Sequence, residues 1–273
     1  MPGPLISLLS DFGVRDPSAA ILHGVVLSIV PDARIVDISH EVRKFAIRDG
    51  ALLLWCALPY LPVGFHVAVV DPGVGTERLP VAIATHRGDA LIGPDNGLLV
   101  AAAERLGGIA AVHVLEADAY RLPVVSTSFH GRDIFAPAGA HHARGVEISA
   151  LGRAIDASTL VPSPIREPEV TDGELRSSVV YVDTFGNVKL AGLRADLEAA
   201  LGSLRPGDPL ELALGAPPTT IRTSWRSTFG DVPPGETLVY EDSYGRICLA
   251  SSQADAAAKH DIVEDLAVVI RRH

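Results

Sequence analysis

Apolar segments of strand length alternate with helical segments through the first part of the chain, and this alternation limits the folds that the chain can adopt. Strand-type runs at residues 5–10, 34–38 and 64–70 are separated by helical patterns at residues 16–29 and 47–58. Strands and helices that alternate at this interval predict a mostly parallel sheet with flanking helices. Such sheets bind ligands at the carboxyl ends of their strands, so the turns that follow these runs are the first candidates for function.

The pattern changes beyond a proline-rich stretch at residues 152–173, which contains Pro162, Pro164 and Pro168 and predicts a linker. After this stretch the chain reads as a series of short strands with little helix, which predicts a small antiparallel β-barrel. We therefore predict an N-terminal α/β domain over residues 1–160 and a C-terminal antiparallel β-barrel domain over residues 174–273.

The composition describes a globular protein and excludes several classes of function. Of the 273 residues, 48% are hydrophobic and 21% are charged, and the net charge of −10 argues against a nucleic-acid partner. No apolar run approaches the roughly 18 residues that span a membrane, and the N-terminus lacks the pattern of a signal peptide. Cys56 and Cys248 lie in apolar runs, which is typical of buried thiols in a reducing compartment. We expect a cytoplasmic protein that binds neither membranes nor nucleic acids.

Carboxylates beside glycine-rich turns end the predicted strands of the first domain. Asp11 precedes Gly13, and Asp71 opens the turn Asp-Pro-Gly-Val-Gly-Thr-Glu-Arg, in which Arg78 returns a fixed positive charge. An isolated Asp of this kind often stabilises a turn by accepting hydrogen bonds from backbone amides, and Asp95 is interpreted in that way. Asp11 and Asp71 follow strands of one sheet and converge on one crevice, which favours a site. A simple ion pair between Asp71 and Arg78 is the alternative.

Two later turns also bring polar side chains together. The sequence Phe-His-Gly-Arg-Asp at residues 129–133 opens a helix, where backbone amides and the helix dipole favour anions. The alternative there is that His130 packs against its neighbours and Arg132 pairs with Asp133. The turn at residues 183–188 displays a carboxylate, an aromatic ring and an amide, although an ordinary hairpin turn would look the same.

The histidines give little support for a metal site. The candidates are His40, His130, His141 and His142, but the chain contains neither the HExxH nor the CxxC pattern. His141 and His142 are adjacent, so on a helix they point about 100° apart and cannot easily share an ion. Phosphate-loop and GxSxG motifs are also missing from the sequence. We predict no metal and no cofactor.

Taken in order, these motifs resemble those of the S-adenosylmethionine hydrolases, also called S-adenosylmethionine hydroxide adenosyltransferases, a family related to the bacterial fluorinase and chlorinase. The matching stretches span nearly the whole chain and lie at residues 9–13, 37–40, 70–78, 93–97, 129–137, 183–188 and 243–245. The resemblance implies an α/β domain followed by a β-barrel, in agreement with the pattern of segments. It also implies a homotrimer whose sites lie between neighbouring subunits.

The resemblance assigns a role to each matching side chain. It implies catalytic roles for Asp71, Arg78 and His130, contacts of Asp11 with the ribose hydroxyls and of Asp183 with the methionine ammonium, and further substrate contacts for Phe45, Phe129, Phe185, Asn187, Phe229 and Ser243. The chain departs from the halogenases at Tyr244, where they have an Arg after the Ser. The substrate carboxylate must therefore find another donor.

The implied reaction is hydrolysis of S-adenosyl-L-methionine to adenosine and L-methionine, by in-line attack of an activated water on C5′ of the ribose. The halogenases have a Tyr at the position of Asp71, and the fluorinase has a Ser at the position of Gly131. Two alternatives stay open: a halide-dependent, chlorinase-like adenosyltransferase on the same scaffold, and a protein that binds adenosyl ligands without turning them over.

Overall fold

The computed structural model describes residues 3–273, which form two compact units. The first unit ends at Pro164 and the second runs from Ile165 to His273. Within residues 3–273, every helix is too short or too polar to cross a bilayer.

The first unit is a seven-stranded sheet with helices packed against it. Its strands are β1 (Leu5–Ser10), β2 (Arg34–Ser39), β3 (Phe65–Val69), β4 (Pro80–Thr85), β5 (Ala90–Pro94), β6 (Ile109–Val114) and β7 (Ala154–Ile155). Its helices are α1 (Ser18–Ile29), α2 (Ile47–Ala57), α3 (Val100–Arg105) and α4 (Ala136–Ala143), and a π-helical turn (Gly131–Phe135) precedes the last of these. The α/β class predicted from the alternation of segments is confirmed.

The sheet is mixed, with the strand order β2-β1-β3-β5-β4-β6-β7. Pairing is parallel from β2 through β1 and β3 to β5, and antiparallel from β5 through β4 and β6 to β7. The direction changes at the turn over residues 86–89, because a connection that short can join only antiparallel strands. The carboxyl ends of β1 and β3 lie side by side, and the turns that follow them carry Asp11 and Asp71.

A buried polar network fixes the centre of this sheet. His66 lies on β3. Its Nδ1 is hydrogen-bonded to Ser7 Oγ at 2.8 Å, and its Nε2 lies 3.0 Å from Asp89 Oδ1. Arg87 Nε donates to the other oxygen of Asp89 at 2.6 Å. Burial acts to raise the pKa of Asp89, but the hydrogen bonds from His66 and Arg87 outweigh it and hold that pKa well below its ordinary value. These hydrogen bonds connect β1, β3 and the turn before β5, so they stabilise the pairing of the central strands.

Two local expectations differ from the structure. Helix α1 begins at Ser18, after Pro17, and Asp16 accepts the Ser18 amide at 2.9 Å, so the helix starts slightly later than predicted. The predicted linker is also not structureless, because β7 joins the first sheet and β8 (Glu169–Thr171) joins the second. Proline prevents strand pairing only where it stands, and the prolines of this stretch lie between the paired segments.

The second unit is an antiparallel sheet. After β8 its strands are β9 (Glu174–Val182), β10 (Val188–Leu193), β11 (Pro209–Leu214), β12 (Thr219–Ser224), β13 (Thr237–Glu241), β14 (Arg246–Ser251) and β15 (Ala267–Arg272), and its helices are α5 (Arg194–Leu201) and α6 (Ala256–Lys259). The strand order is β12-β11-β15-β9-β10-β14-β13, and β8 pairs with β9 at the side of this path. A bridge between Trp225 and Val239 brings the two ends of the sheet together, so the predicted antiparallel barrel is confirmed as a nearly closed one.

Candidate active site

The turn after β3 presents Asp71 and returns the chain to Arg78. Backbone hydrogen bonds from Val74 to Asp71 and from Thr76 to Gly73 shape this turn. Gly75 has a φ of +79°, and a Cβ at this position would lie 2.8 Å from the carbonyl oxygen of Thr127. Only glycine allows that close approach, which sets the 71–78 turn directly against the segment that leads to His130.

Asp71, Arg78 and His130, which we call the triad, are in direct contact. Arg78 Nε lies 3.0 Å from both carboxylate oxygens of Asp71, and Arg78 NH2 lies 2.5 Å from Oδ2. The same NH2 group lies 2.8 Å from His130 Nδ1. The side chains of Asp71 and Arg78 are 5% and 10% exposed, so this ion pair is largely withdrawn from water. The pairing considered as an alternative to a site is therefore present, and it includes His130.

The contact with Arg78 decides the tautomer of His130. A guanidinium group carries donors only, so Nδ1 must accept and the neutral ring carries its proton on Nε2. Burial is the main cause that lowers the pKa of His130 below its ordinary 6.5, and the charge of Arg78 adds to it against the opposing charges of Asp71 and Asp133. His130 is therefore a neutral hydrogen-bond donor at physiological pH.

The segment that carries His130 is held by the carboxylate of Asp133. This buried side chain accepts from the amide and the hydroxyl of Ser126 at 2.8 and 2.7 Å. Arg132 Nε donates to its other oxygen at 2.6 Å, so the pairing of Arg132 with Asp133 that was considered as the alternative to a site is present. The π-helical turn begins immediately after His130, and such turns are frequent at functional sites.

A first pocket of about 300 Å³ lies beside the triad. Its wall contains Asp71 and His130 from the triad and three of the other predicted site residues, namely Asp11, Phe45 and Phe129. Arg78 lies behind this wall, where it contacts Asp71 and His130. Five of the predicted positions thus meet in one cavity of the first unit.

Aromatic rings close one side of the first pocket. Phe12 and Phe129 pack edge to face with their ring centres 5.4 Å apart. A Cβ added at Gly131 would lie 3.1 Å from the edge of the Phe12 ring, so the absence of a side chain at this position is what allows Phe12 to pack there. The first pocket is thus walled by rings on the side where a larger residue 131 would project.

Asp11 is positioned by the backbone of Phe45. The amide of Phe45 donates to Asp11 Oδ2 at 2.9 Å. To do so, Phe45 adopts a φ of +65°, which is unusual for a residue with a side chain and costs on the order of 1–3 kcal/mol. The Phe45 ring is 71% exposed, so burial of the ring does not compensate for this strain. Strain of this kind is found at functional sites.

A second pocket of about 630 Å³ lies in the second unit. It is lined by all of the site residues predicted there, namely Asp183, Phe185, Asn187, Phe229 and Ser243. Asp183 Oδ1 accepts the amides of Phe185 and Asn187 at 2.9 and 3.0 Å, and Oδ2 accepts the Asn187 side-chain amide at 2.9 Å. The hairpin turn considered as an alternative therefore exists, and it presents the predicted residues to a pocket.

Sequence reasoning missed two residues of the second pocket, Lys189 and Tyr240. Both line it together with Tyr244, which the sequence analysis had noted as a departure from the halogenases, and the Phe229 ring packs against Tyr240 with centres 4.8 Å apart. Lys189 Nζ lies 2.5 Å from Asp242 Oδ2 and 5.2 Å from the centre of the Tyr244 ring. Lys189 lies near the start of β10 and two positions after Asn187, and the strand period of two is the signal that could have placed it beside that residue.

With this geometry in place, comparison with known proteins decides the family. The family model described as the SAM hydroxide adenosyltransferase N-terminal domain matches residues 6–152, and the model of its C-terminal domain matches residues 177–268. The chain belongs to the SAM hydroxide adenosyltransferase family. Its two units thus correspond to the two domains that define this family.

Curated relatives of this SAM hydroxide adenosyltransferase chain carry two names. The chain is 44% identical to the (R)-S-adenosyl-L-methionine hydrolase of Salinispora tropica, over 94% of this chain and 93% of that protein. It is 35% identical to the protein of the same name from Thermus thermophilus, over 96% and 98%. The fluorinase of Nocardia brasiliensis is 29% identical, over 98% and 97%. A crystal structure of an uncharacterized conserved protein from Thermotoga maritima matches with a TM-score of 0.90 at 31% identity, covering 98% of this chain and 100% of that one.

The state of His130 gives the first prediction. We expect NMR of the labelled imidazole to show a pKa below 6.5, with Nδ1 unprotonated and Nε2 protonated at neutral pH. Because the pKa falls on folding, the neutral ring adds to stability above the ordinary pKa, and this contribution is lost as the pH falls through the folded pKa. Arg78→Met removes the cation and leaves Asp71 unpaired, so the pKa should rise. The His130→Gln spectrum assigns the signal, and a pKa at or above 6.5 in the parent protein would contradict the prediction.

Proposed function

We propose that the protein hydrolyses S-adenosyl-L-methionine to adenosine and L-methionine. The observation that carries this proposal is the Asp71–Arg78–His130 contact at the wall of the first pocket, because it sets a proton acceptor and a neutral donor side by side. The names of the curated relatives at 35–44% identity support the same substrate and reaction.

The two pockets offer complementary contacts for this substrate. A carboxylate has about four lone-pair sites, so Asp11 can accept both ribose hydroxyls in addition to the Phe45 amide. In the second pocket, the rings of Phe185 and Phe229 suit the adenine base, and the carboxylate of Asp183 suits the methionine ammonium. Together these groups bind the ribose, the adenine base and the methionine ammonium, so that C5′ is held beside the triad.

The reaction is a single displacement at C5′. The oxygen of water forms a bond to C5′ while the C5′–S bond breaks, and both electrons of that bond go to sulfur, which leaves as a neutral thioether. The departing group therefore needs no acid. The attacking water loses a proton, and a positioned base contributes about 10²–10⁴ in rate. Holding water in line with the C5′–S bond adds a proximity term of up to about 7–11 kcal/mol.

Asp71 is the group that takes this proton. His130 Nδ1 is occupied by Arg78, and its Nε2 carries a proton, so the neutral ring has no site for another. The carboxylate of Asp71 keeps unused lone pairs beside those that Arg78 occupies. In this arrangement Arg78 holds Asp71 and His130 together at the pocket wall, the hydrogen bond between His130 and the Ser126 backbone helps to fix the ring, and Asp71 accepts the proton before passing it to solvent.

Three considerations favour water over a halide ion. A unit negative charge on Asp71 would repel an anion at 4 Å by about 4 kcal/mol at an effective dielectric constant of 20, although Arg78, which pairs with Asp71, and Lys44 at the pocket wall oppose this repulsion. Gly131 offers no hydroxyl donor, and a side chain at this position would meet the Phe12 ring. The fluorinase of Nocardia brasiliensis is also less similar to the chain than the hydrolases are.

The second prediction tests the reaction and the acceptor. Purified protein incubated with S-adenosyl-L-methionine should give adenosine and methionine in equal amounts by chromatography, and in molar chloride no 5′-chloro-5′-deoxyadenosine. Asp71→Asn removes the acceptor with little change of shape, so kcat should fall at least about 10²-fold while the substrate Kd stays within about tenfold. Asp118→Asn is the matched control, because its side chain is 96% exposed and pairs only with Arg121 among the described ion pairs.

Each result has a distinct meaning. A chlorinated product as the major species would place the protein with the halogenases. Substrate binding without turnover in the parent protein would identify an adenosyl-ligand binding protein. Full activity of Asp71→Asn, with hydrolysis intact in the parent, would leave the reaction standing and remove Asp71 as the proton acceptor.

Lys189 provides the donor that the substrate carboxylate requires in place of the halogenase Arg. Its Nζ lies at the second pocket, 5.2 Å from the ring of Tyr244, which occupies the position of that Arg. Oδ2 of Asp242 accepts a hydrogen bond from the Lys189 ammonium group. Oδ1 of Asp242 accepts the backbone amides of Tyr244 and Arg246 at 2.8 and 3.0 Å. Asp183 and Lys189 then face the opposite charges of the substrate amino-acid group.

The third prediction uses Lys189→Met. Loss of a charged hydrogen bond worth roughly 1.5–3 kcal/mol should raise KM for S-adenosyl-L-methionine about 10–100-fold with kcat little changed. Decarboxylated S-adenosylmethionine, which lacks the carboxylate, separates recognition from structural damage: the variant and the parent should bind it equally. An equal loss of affinity for both compounds would show that Lys189 acts only through Asp242.

We further propose a homotrimer in which the first pocket of one copy and the second pocket of a neighbouring copy bind the same substrate molecule. The exposed rings of the pockets support this assembly, because Phe45 is 71% and Phe185 is 78% exposed in a single chain. Large exposed apolar groups at a binding site indicate a surface that another molecule covers.

The fourth prediction follows from a shared site. Co-expression of an Asp71→Asn chain with a differently tagged Asp183→Ala chain should restore activity that neither has alone. In a random mixture about a quarter of the shared sites would combine the intact halves of both variants. Isolation through both tags confirms that mixed assemblies form. If these assemblies stay inactive while the parent is active, each site is built by one chain.

A further inference from the structure

A cluster of His23, Asp37 and His40 lies in the first unit, outside the wall of the first pocket. His23 is on α1, Asp37 is on β2 and His40 follows the end of β2. Asp37 Oδ1 lies 2.8 Å from His23 Nε2 and 3.1 Å from His40 Nε2. All three possible ligand atoms lie within 4.8 Å of one another.

The sequence offers His40 as a candidate metal ligand together with His130, His141 and His142, and the structure brings it to different side chains. His142 Nδ1 lies 2.6 Å from the carbonyl oxygen of Val146, and the ring of His141 packs against Tyr120 at 5.3 Å. His40 instead meets His23, which is distant from it in sequence and is brought close by the packing of α1 on the sheet. Among residues 3–273, His23, Asp37 and His40 are the one group of this kind close enough to share an ion.

We propose that His23, Asp37 and His40 form a binding site for a divalent transition-metal ion, with zinc as the probe. A tetrahedral ion bound at about 2.0–2.1 Å places its ligand atoms about 3.3 Å apart. The distances of 2.8 and 3.1 Å to the shared Asp37 oxygen are close to that value. A small separation of the side chains therefore suffices to admit an ion.

The donor set selects the class of ion. Two imidazole nitrogens and one carboxylate oxygen suit zinc, cobalt, nickel and copper, whereas magnesium and calcium prefer oxygen ligands alone. Both rings direct Nε2 at one carboxylate oxygen, so the Nε2 lone pairs can turn to an ion when each neutral ring carries its proton on Nδ1. A ring that carries two protons must release one before it can bind, so the affinity for the ion should fall at low pH.

An outer hydrogen bond already orients the buried ligand. His40 Nδ1 lies 2.7 Å from Ser10 Oγ, and a hydroxyl group can either donate to or accept from it. The ring can therefore move its proton to Nδ1 when Nε2 binds an ion, as ligating histidines commonly do. His40 is 4% exposed, which fixes it, while the exposures of His23 and Asp37, 33% and 43%, leave an open side for the ion and a water ligand.

The site is distinct from the proposed hydrolysis and does not rest on it. Its link to the first pocket is structural: the amide of Gly13 donates to the His40 carbonyl oxygen at 2.7 Å, and Phe12 donates to Ser10 Oγ at 3.3 Å. An ion at His40 would stiffen the turn that carries Asp11. We therefore expect the metal-free protein to keep its turnover and the loaded protein to melt at a higher temperature.

The fifth prediction tests this site on tag-free protein treated with EDTA and then dialysed. Zinc should bind in calorimetry with one ion per chain, and cobalt should give visible absorption bands of a site with low coordination number. His23→Gln and Asp37→Asn should each weaken zinc binding about tenfold or more and abolish the rise in Tm with zinc. His86→Gln, which changes an exposed histidine outside the cluster, should behave as the parent does.

Circular dichroism and the melting temperature without zinc show whether each variant is folded. Unchanged zinc affinity in folded His23→Gln would overturn the proposal, as would the absence of saturable binding in the parent. A loss of binding in His86→Gln with none in His23→Gln would place the ion elsewhere on the surface and would equally overturn it.

Discussion

The guanidinium group of Arg78 joins the polar side chains at the wall of the first pocket. One NH2 group touches both Asp71 Oδ2 and His130 Nδ1, while Nε spans the two oxygens of Asp71. Because this group carries hydrogen-bond donors only, it places a fixed positive charge against Asp71 and requires His130 Nδ1 to accept. An ammonium group lacks the planar fork that makes these contacts at once. The face of the Phe135 ring, 5.1 Å from the guanidinium carbon, supports it from another side.

The contact among Asp71, Arg78 and His130 depends on the close approach of two loops. The turn after β3 approaches the 126–131 segment so closely that Gly75 and the Thr127 carbonyl leave no room for a Cβ. Asp133 then ties that segment to Ser126, and the same buried carboxylate anchors Arg132. The carboxylate of Asp71 comes from one loop and the imidazole of His130 from the other, so their shared contact with Arg78 forms only where the two loops meet. The sheet beneath them supplies the rigidity that loops lack.

Apolar runs and glycine-rich turns made much of the fold and the carboxylates of the site predictable from sequence. Strand direction was less accessible, because an apolar run has the same appearance whichever way it pairs; only the short 86–89 turn reveals the antiparallel half. The roles of Asp71, Asp183 and their neighbours came from resemblance and remain proposals. The positive φ of Phe45 and its hydrogen bond to Asp11 depend on the path of a loop, which local sequence does not specify. The meeting of His23 with His40 depends on packing between distant segments, so no spacing rule could show it.

The contact between Gly131 and Phe12 also bears on how this site can change over evolutionary time. A hydroxyl-bearing side chain at residue 131 would place its Cβ 3.1 Å from the ring edge of Phe12, so the ring would have to shift by a few tenths of an ångström to admit it. The two positions are therefore coupled, and the order in which they mutate matters. A lineage, or a laboratory library, that alters one codon at a time meets a packing cost at residue 131 that depends on how freely the Phe12 ring can shift. A smaller residue 12 would remove that cost and would also remove the edge-to-face packing of Phe12 on Phe129.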